Sequence, residues 1–375
     1  MTIGEPQEGG GLRYEDAGVR YEDIDQLKVA AQEAMQKLAV ENTNADNTQI
    51  ILETIGESAV VVQLPDGQLI AKVTEGLGTK NIVADDNRQP NTTHYNKLAQ
   101  DTVAMIVNDL ITVGAMPQII TAYFGLGDSE WAKDEQRARE LVAGWEQACR
   151  EIGVLWVGGE TPVLKGVIDP QRIDLAGDAM GIVRKPEHLV TYDGLSEGDS
   201  IVLIGSSGIH ANGLSFVRKL AETNPDLYER KLSSGQTFGE AILTPTPLYV
   251  NLVRSLQDAD VDLHYMANIT GHGWRKLMRA PRDFSYVIDK IPEPQPEFAL
   301  MQQLAGTPTE EMYSTFNMGA GFAIYVSPDQ VDAVIAQAEK NGLSALVAGH
   351  VEAGERKVVI RPLNLVYAGE TLQIR

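Results

Sequence analysis

Cysteine is nearly absent from this chain. A single residue in 375, Cys149, excludes a disulfide framework and any cysteine-rich zinc site. Aromatic residues make up only 6% of the chain, which does not suggest a base-stacking surface. No apolar run approaches the ~20 residues needed to cross a bilayer. Met1 to Arg20 lacks the basic-then-apolar order of a signal peptide. Basic residues are also scarce: 31 Lys and Arg stand against 52 Asp and Glu, a formal net charge of −21, with no basic cluster. Such a chain repels nucleic acid and anionic membranes. The expectation is a cytoplasmic protein whose partners are small molecules. If these carry phosphate, attraction has to come from local devices such as a helix N-terminus, a metal ion or single lysines.

What is present supports two α/β units. The apolar fraction of 43% can supply real cores, and the length suits two domains better than one. Residues 1–48 read as a tail and a helix, with Leu27, Ala30, Ala31, Ala34, Met35 and Leu38 at helical spacing. Residues 49–187 form a first domain and 188–375 a second, divided at the polar, glycine-bearing stretch near Lys185 to Asp199. Ser58 to Leu64 and Gln68 to Val73 read as strands joined by the turn Pro65-Asp66-Gly67. Leu98 to Val113 and Asp134 to Ile152 read as helices, and Val154 to Val157, Asp174 to Val183 and Ser200 to Ile204 as strands. Cys149 lies on the apolar stripe of the second helix, so it belongs to a core.

Five segments could carry chemistry. Thr74 to Lys80 follows a strand; Gly76 and Gly78 let backbone amides approach an anion, and Lys80 can neutralise a phosphate, although this is not P-loop spacing. On the next helix Asp101, Met105 and Asn108 stand at i, i+4 and i+7 with Asp109 beside them, in a helix apolar on most sides. Buried carboxylates need partners, and carboxylates over two turns suit Mg2+. Gly158-Gly159-Glu160-Thr161 offers a carboxylate at a strand end. Gly205 to Gly213 sits between an apolar strand and a helix, placing amides, Ser206, Ser207, Gly208, His210 and Asn212 where phosphate binds. Thr315 to Gly321, with Asn317, is a small-residue run before a strand.

In this order the segments resemble the phosphoribosylformylglycinamidine cyclo-ligase (aminoimidazole ribonucleotide synthetase) family. Tyr14 to Val19 resembles the family's opening, Thr74 to Lys80 its T-D-G-V-G-T-K loop, and Val107 to Leu110 its V-N-D-L. Gly158 to Thr161 with Asp174 to Gly177 resembles G-G-E-T … D-L-A-G, Ser206 to Gly213 resembles S-S-G-x-H-S-N-G, and Met312 to Gly321 resembles M-x-x-T-F-N-x-G-x-G. The resemblance implies a two-domain α/β (α+β) fold whose N-terminal half pairs strands across a homodimer. It also implies use of ATP and Mg2+ to phosphorylate an amide oxygen of formylglycinamidine ribonucleotide before ring closure. The implied metal residues are Glu75, Asp101 and Asp109. Gly76, Gly78, Thr79, Lys80, Asn108, Gly159, Glu160, Thr161 and Asp174 would hold the nucleotide. Ser206, Ser207, Gly208, His210, Asn212 and Asn317 would hold the substrate, with Lys80, His210 and Asp109 catalytic.

Departures fall in the same loops. Glu75 stands where the family has Asp, Pro162 to Arg172 replaces E-M-P-G-M-Y, and Asn268-Ile269-Thr270-Gly271-His272-Gly273 replaces H-x-T-G-G-G. A thiamine-monophosphate-kinase-like phosphoryl transfer, or a nucleotide-binding regulator without turnover, is the alternative.

Overall fold

The computed structural model describes residues 11–18, 21–42 and 44–372, with the side chains of 21–23 left aside. Residues 1–10 of the expected tail, Val19 of the opening motif and residues 373–375 lie outside them.

The first half is one mixed sheet with helices on one face. Its strands are β1 (Gln49–Ile50), β2 (Val60–Gln63), β3 (Leu69–Gly76), β4 (Met116–Leu126), β5 (Leu155–Glu160) and β6 (Ile173–Ile182), in the order β1-β2-β3-β6-β4-β5. The β2–β3 hairpin forms at the expected turn: Leu64 N–H donates to Gln68 O at 2.9 Å, and Gly67 takes a φ of 89°. The helices are α1 (Tyr21–Glu41), α2 (Lys80–Asp86), α3 (Tyr95–Leu110) and α4 (Glu135–Ile152). Helix α4 starts where the Asp134 carboxylate accepts the Arg137 N–H and stops at left-handed Gly153. It carries the chain back so that β5 pairs parallel to β4.

Alternation along the strands gives this sheet two different faces. Ala71, Val73, Ile120, Leu175 and Ala179 are buried. At Gly177, on the same face, a methyl group would strike Ile106 of α3 and Trp145 of α4. The opposite face carries Ile70, Lys72, Ile119, Tyr123, Met180 and Ile182, all half-buried or exposed. Helix α3 is buried on nearly every side, as its composition requires. Helix α1 forms where expected, yet Leu27 is 75% exposed and Leu38 54%. Its buried contact is made by Asp25 instead.

The second half is a seven-stranded sheet of β7 (Ser200–Gly205), β8 (Tyr265–Asn268), β9 (Phe284–Ile288), β10 (Ala320–Val326), β11 (Ala345–Ala353), β12 (Lys357–Ile360) and β13 (Leu365–Ala368). The order is β13-β12-β9-β11-β7-β10-β8. Helices α5 (Leu214–Thr223), α6 (Phe238–Ile242), α7 (Val250–Asp258), α8 (Pro296–Ala305), α9 (Thr309–Thr315) and α10 (Val331–Lys340) complete it. Strand β13 lies in the C-terminal stretch beyond the family motifs and pairs antiparallel with β12. The N-terminal segment is tied to this half: Leu12 N–H donates to Ala305 O at 2.9 Å, and Thr307 Oγ1 donates to Leu12 O at 2.6 Å. No helix among the described residues is long and apolar enough to cross a membrane.

Candidate active site between the two halves

The face of α3 that carries Asp101 and Asn108 meets the segment Thr244 to Tyr249 of the second half. Asp101 Oδ1 accepts from Thr246 N at 2.8 Å and Thr246 Oγ1 at 2.6 Å, while Oδ2 lies 2.8 Å from Lys80 Nζ. Lys80 Nζ also donates to Thr244 O at 3.1 Å. Both side chains of this ion pair are fully buried, and burial holds the Lys80 ammonium below its usual range against the opposing pull of Asp101. Asn108 accepts from Tyr249 N at 3.0 Å and donates to Pro247 O at 2.9 Å. The shared face is as the spacing indicates, but its partner is protein backbone. Asp101 and Lys80, expected at metal and phosphate, are spent on each other and on this strap.

Asp109 is different. Its Oδ1 accepts from Asn268 Nδ2 at 2.7 Å, across the interface from the end of β8. Glu75 comes from the end of β3 on the inner face of the first sheet. Burial, and then the nearby Asp109 charge, push its carboxyl up to about 7. The neighbouring half-buried Lys276 ammonium is held down at about 7, by burial and then by Arg279, with Asp109 and Glu75 opposing. Asp25 of α1 approaches from the side, its Oδ1 3.7 Å from His272 Nε2. His272 occupies a left-handed conformation, φ 68°, at a position where the resembling family has glycine. Among the described residues no group of three or more His, Cys, Asp or Glu is gathered as a metal set. Glu75 and Asp109 together suit an ion that fills its remaining positions with water and phosphate oxygens.

The loop after β7 reaches the same cleft. Thr79 Oγ1 lies 3.5 Å from Ser215 Oγ in the first turn of α5, so the first motif meets the helix that follows the fourth. Within the loop the side chains serve its shape. Ser207 Oγ donates to Pro245 O at 2.6 Å, Ser206 Oγ to Gln295 Oε1 at 3.2 Å, and Asn317 Nδ2 to Gly208 O at 2.8 Å. Asn212 Nδ2 points at Met105 Sδ, 3.9 Å away. His210 accepts the Ser207 N–H on Nε2 at 3.2 Å, and burial holds its imidazole down at about 3. It is therefore neutral, with Nε2 serving as an acceptor within the loop. Among the described residues the amides of Gly208, Ile209 and His210 donate to no protein acceptor, which leaves them for an anion at the α5 N-terminus.

Gly159, Glu160, Thr161 and Asp174 are not brought to this cleft. Register aligns Gly76, Ala176, Tyr123 and Glu160 in one row across β3, β6, β4 and β5. That row, and Asp174 two residues before Ala176, belong to the open face, opposite to Glu75. Glu160, Thr161 and Asp174 are exposed there. The expected nucleotide residues are thus divided between the two faces of one sheet. Thr246, Asn268, Lys276 and His272 carry much of the cleft, and no spacing rule marks them. Only the altered 268–273 loop hinted at two of them.

Comparison with known proteins bears on the two-domain fold and the family. Residues 56–183 match the model for the AIR synthase related protein, N-terminal domain, and residues 196–361 the C-terminal domain model. The chain is 35% identical over 342 residues to the phosphoribosylformylglycinamidine cyclo-ligase of Methanocaldococcus jannaschii, covering 91% of this chain and 92% of that protein. Among solved structures it shares its fold with the HypE-HypF complex, at a TM-score of 0.57 and 17% identity, covering 87% of this chain and 95% of that one. It also shares it with AaThiL complexed with AMPPCP and TMP, at a TM-score of 0.56 and 16% identity, covering 83% and 89%. By its two domain matches and its identity over nearly the whole length of the archaeal relative, the chain belongs to the phosphoribosylformylglycinamidine cyclo-ligase family.

Proposed function

We propose that this chain is an ATP-dependent cyclo-ligase that converts formylglycinamidine ribonucleotide into aminoimidazole ribonucleotide, a step of purine biosynthesis. The amide oxygen of the substrate takes the γ-phosphoryl group of ATP and ADP leaves. An amidine nitrogen then attacks the activated carbon and gives up a proton, closing the ring, and the oxygen departs as phosphate. An amide oxygen is a poor leaving group until phosphorylated, so the protein's task is positioning and charge neutralisation. Two observations carry this reading: Glu75 and Asp109, from separate elements, lie within electrostatic reach of each other, and the loop after β7, which touches α3 through Asn212 and Met105, keeps the amides of Gly208 to His210 without protein acceptors. Glu75 and Asp109 would hold Mg2+, which supplies charge neutralisation to the triphosphate. Asp101 keeps Lys80 in place, and the Ser206 to Gly213 loop cradles phosphate with its backbone.

Glu160, Thr161 and Asp174 fit a nucleotide pocket completed by a second copy. The open face of the first sheet presents Ile119, Tyr123, Met180 and Ile182 beside them, and the edge strand β5 exposes Leu155 and Val157 by 68% and 52%. A homodimer formed across this face covers that surface. The protein works in the cytoplasm in this reading.

The test is ADP release from ATP and Mg2+. Release that requires formylglycinamidine ribonucleotide is the expected result. Release only with another acceptor assigns a kinase-like relative, and nucleotide binding without turnover assigns a regulator.

A further inference from the structure

Several cations around the cleft already have their partners. Lys80 lies 2.8 Å from Asp101, and Arg279 lies 3.5 Å from Glu57 while donating to Ser58 and Gly56. Arg275 donates to Thr371 O and Ser314 O at 2.9 and 3.0 Å. Lys276, in the short helical turn Gly273–Met278, has no such partner. Glu75 and Asp109 act on it electrostatically, yet among the described residues no carboxylate oxygen lies within 4.0 Å of its ammonium and no acceptor is bonded to it. Glu75 likewise has no cationic partner within that distance.

A half-buried ammonium held apart from two nearby carboxylates is a poor stabilising arrangement. A closed pair would recover more of the desolvation cost. The spacing makes sense if something anionic sits between them. Carboxylates hold a cation, the cation holds phosphate oxygens, and an ammonium on the far side takes the remaining phosphate charge. Lys80, which the sequence offers for this task, already has its partners.

We propose that Lys276 is a phosphate-binding residue of this site, contacting a phosphate group of one of the two substrates. The proposal rests on the functional reading above. Two sources share that chemistry: the triphosphate tail of ATP and the 5′-phosphate of the ribonucleotide.

Calorimetric titration of the intact protein and of Lys276→Met and Lys276→Arg, with Mg2+ present, tests it. The ligands are ATP, ADP, AMP and formylglycinamidine ribonucleotide. Losing one charge-assisted contact weakens binding by about tenfold to a hundredfold. If the tail is the ligand, Lys276→Met loses that factor for ATP, AMP is held within twofold of the intact protein, and Lys276→Arg recovers most of the loss. If the 5′-phosphate is the ligand, the same loss falls on the ribonucleotide and ATP is unchanged. Either result, with the melting temperature of Lys276→Arg retained, supports the proposal. Unchanged affinity of Lys276→Met for all four ligands, where the intact protein binds ATP, overturns it and leaves the cyclo-ligase reading standing. An intact protein that binds neither ATP nor the ribonucleotide overturns both.

Discussion

Glu75 shows what a ligand site costs a folded protein. Its carboxyl is pushed from the ordinary range up to about 7 by burial and by Asp109. A raised carboxyl binds its proton more tightly in the folded chain than in the unfolded one. The stability it contributes is therefore full below about pH 4.5 and is lost as pH rises through 7. Glu75→Gln removes the ionisation, so it should stabilise the fold at pH 8 by at most about 3 kcal/mol, seen as a higher melting temperature, and change it little at pH 4.5. Thermal melts at both pH values check this, and an unchanged melt at pH 8 contradicts it. At this scale the sequence was informative about Cys149, because it sits in a short segment whose local pattern carries the meaning. Cys149 is buried, and burial pushes its thiol up to about 12. Lys276 and Thr246 were illegible because their significance lies in partners more than a hundred residues away in the chain.

Elements bear out periodicity where one face is buried and mislead where it is not. The stripe of α4, apart from exposed Val142, and the β2–β3 turn are read correctly because each pattern is set locally. Strand β4, in the middle of the first sheet, has no assigned element in the sequence reading. Its Pro117, its bulge between Pro117 and Ile119 and its mixture of Thr, Ala and Gly break strict alternation. Helix α3 shows that spacing gives a face but not its partner: Asp101 and Asn108 are occupied by a protein strap, and Met105 between them meets Asn212. Breaking a buried ion pair from one side leaves the other charge stranded. Asp101→Ala should cost about 3–5 kcal/mol in urea unfolding, and the pair of changes Lys80→Met with Asp101→Leu should regain most of it. A single variant within 1 kcal/mol of the intact protein on the same order-of-magnitude scale contradicts the assignment.

For the whole molecule, the two sheets meet along α3, and the cleft is made of residues from both. Arg254 donates to Ile152 O at 2.7 Å and Gln257 to Gly114 O at 2.7 Å, so the halves are joined well beyond the site. The open face of the first sheet is the part a single copy leaves unfinished. Sedimentation velocity should give the mass of two chains, and Met180→Glu, a charge placed on that face, should give one chain with reduced turnover. A monomer for the intact protein would contradict the shared pocket. The central claim is that Glu75 and Asp109 converge on a divalent ion carrying a triphosphate. Crystals grown with Mn2+ and a non-hydrolysable ATP analogue test it most directly, through the anomalous signal of the metal. The account expects a manganese peak at about 2.1 Å from an oxygen of each carboxylate, with phosphate oxygens completing the shell. A nucleotide bound with its metal away from both carboxylates would contradict it.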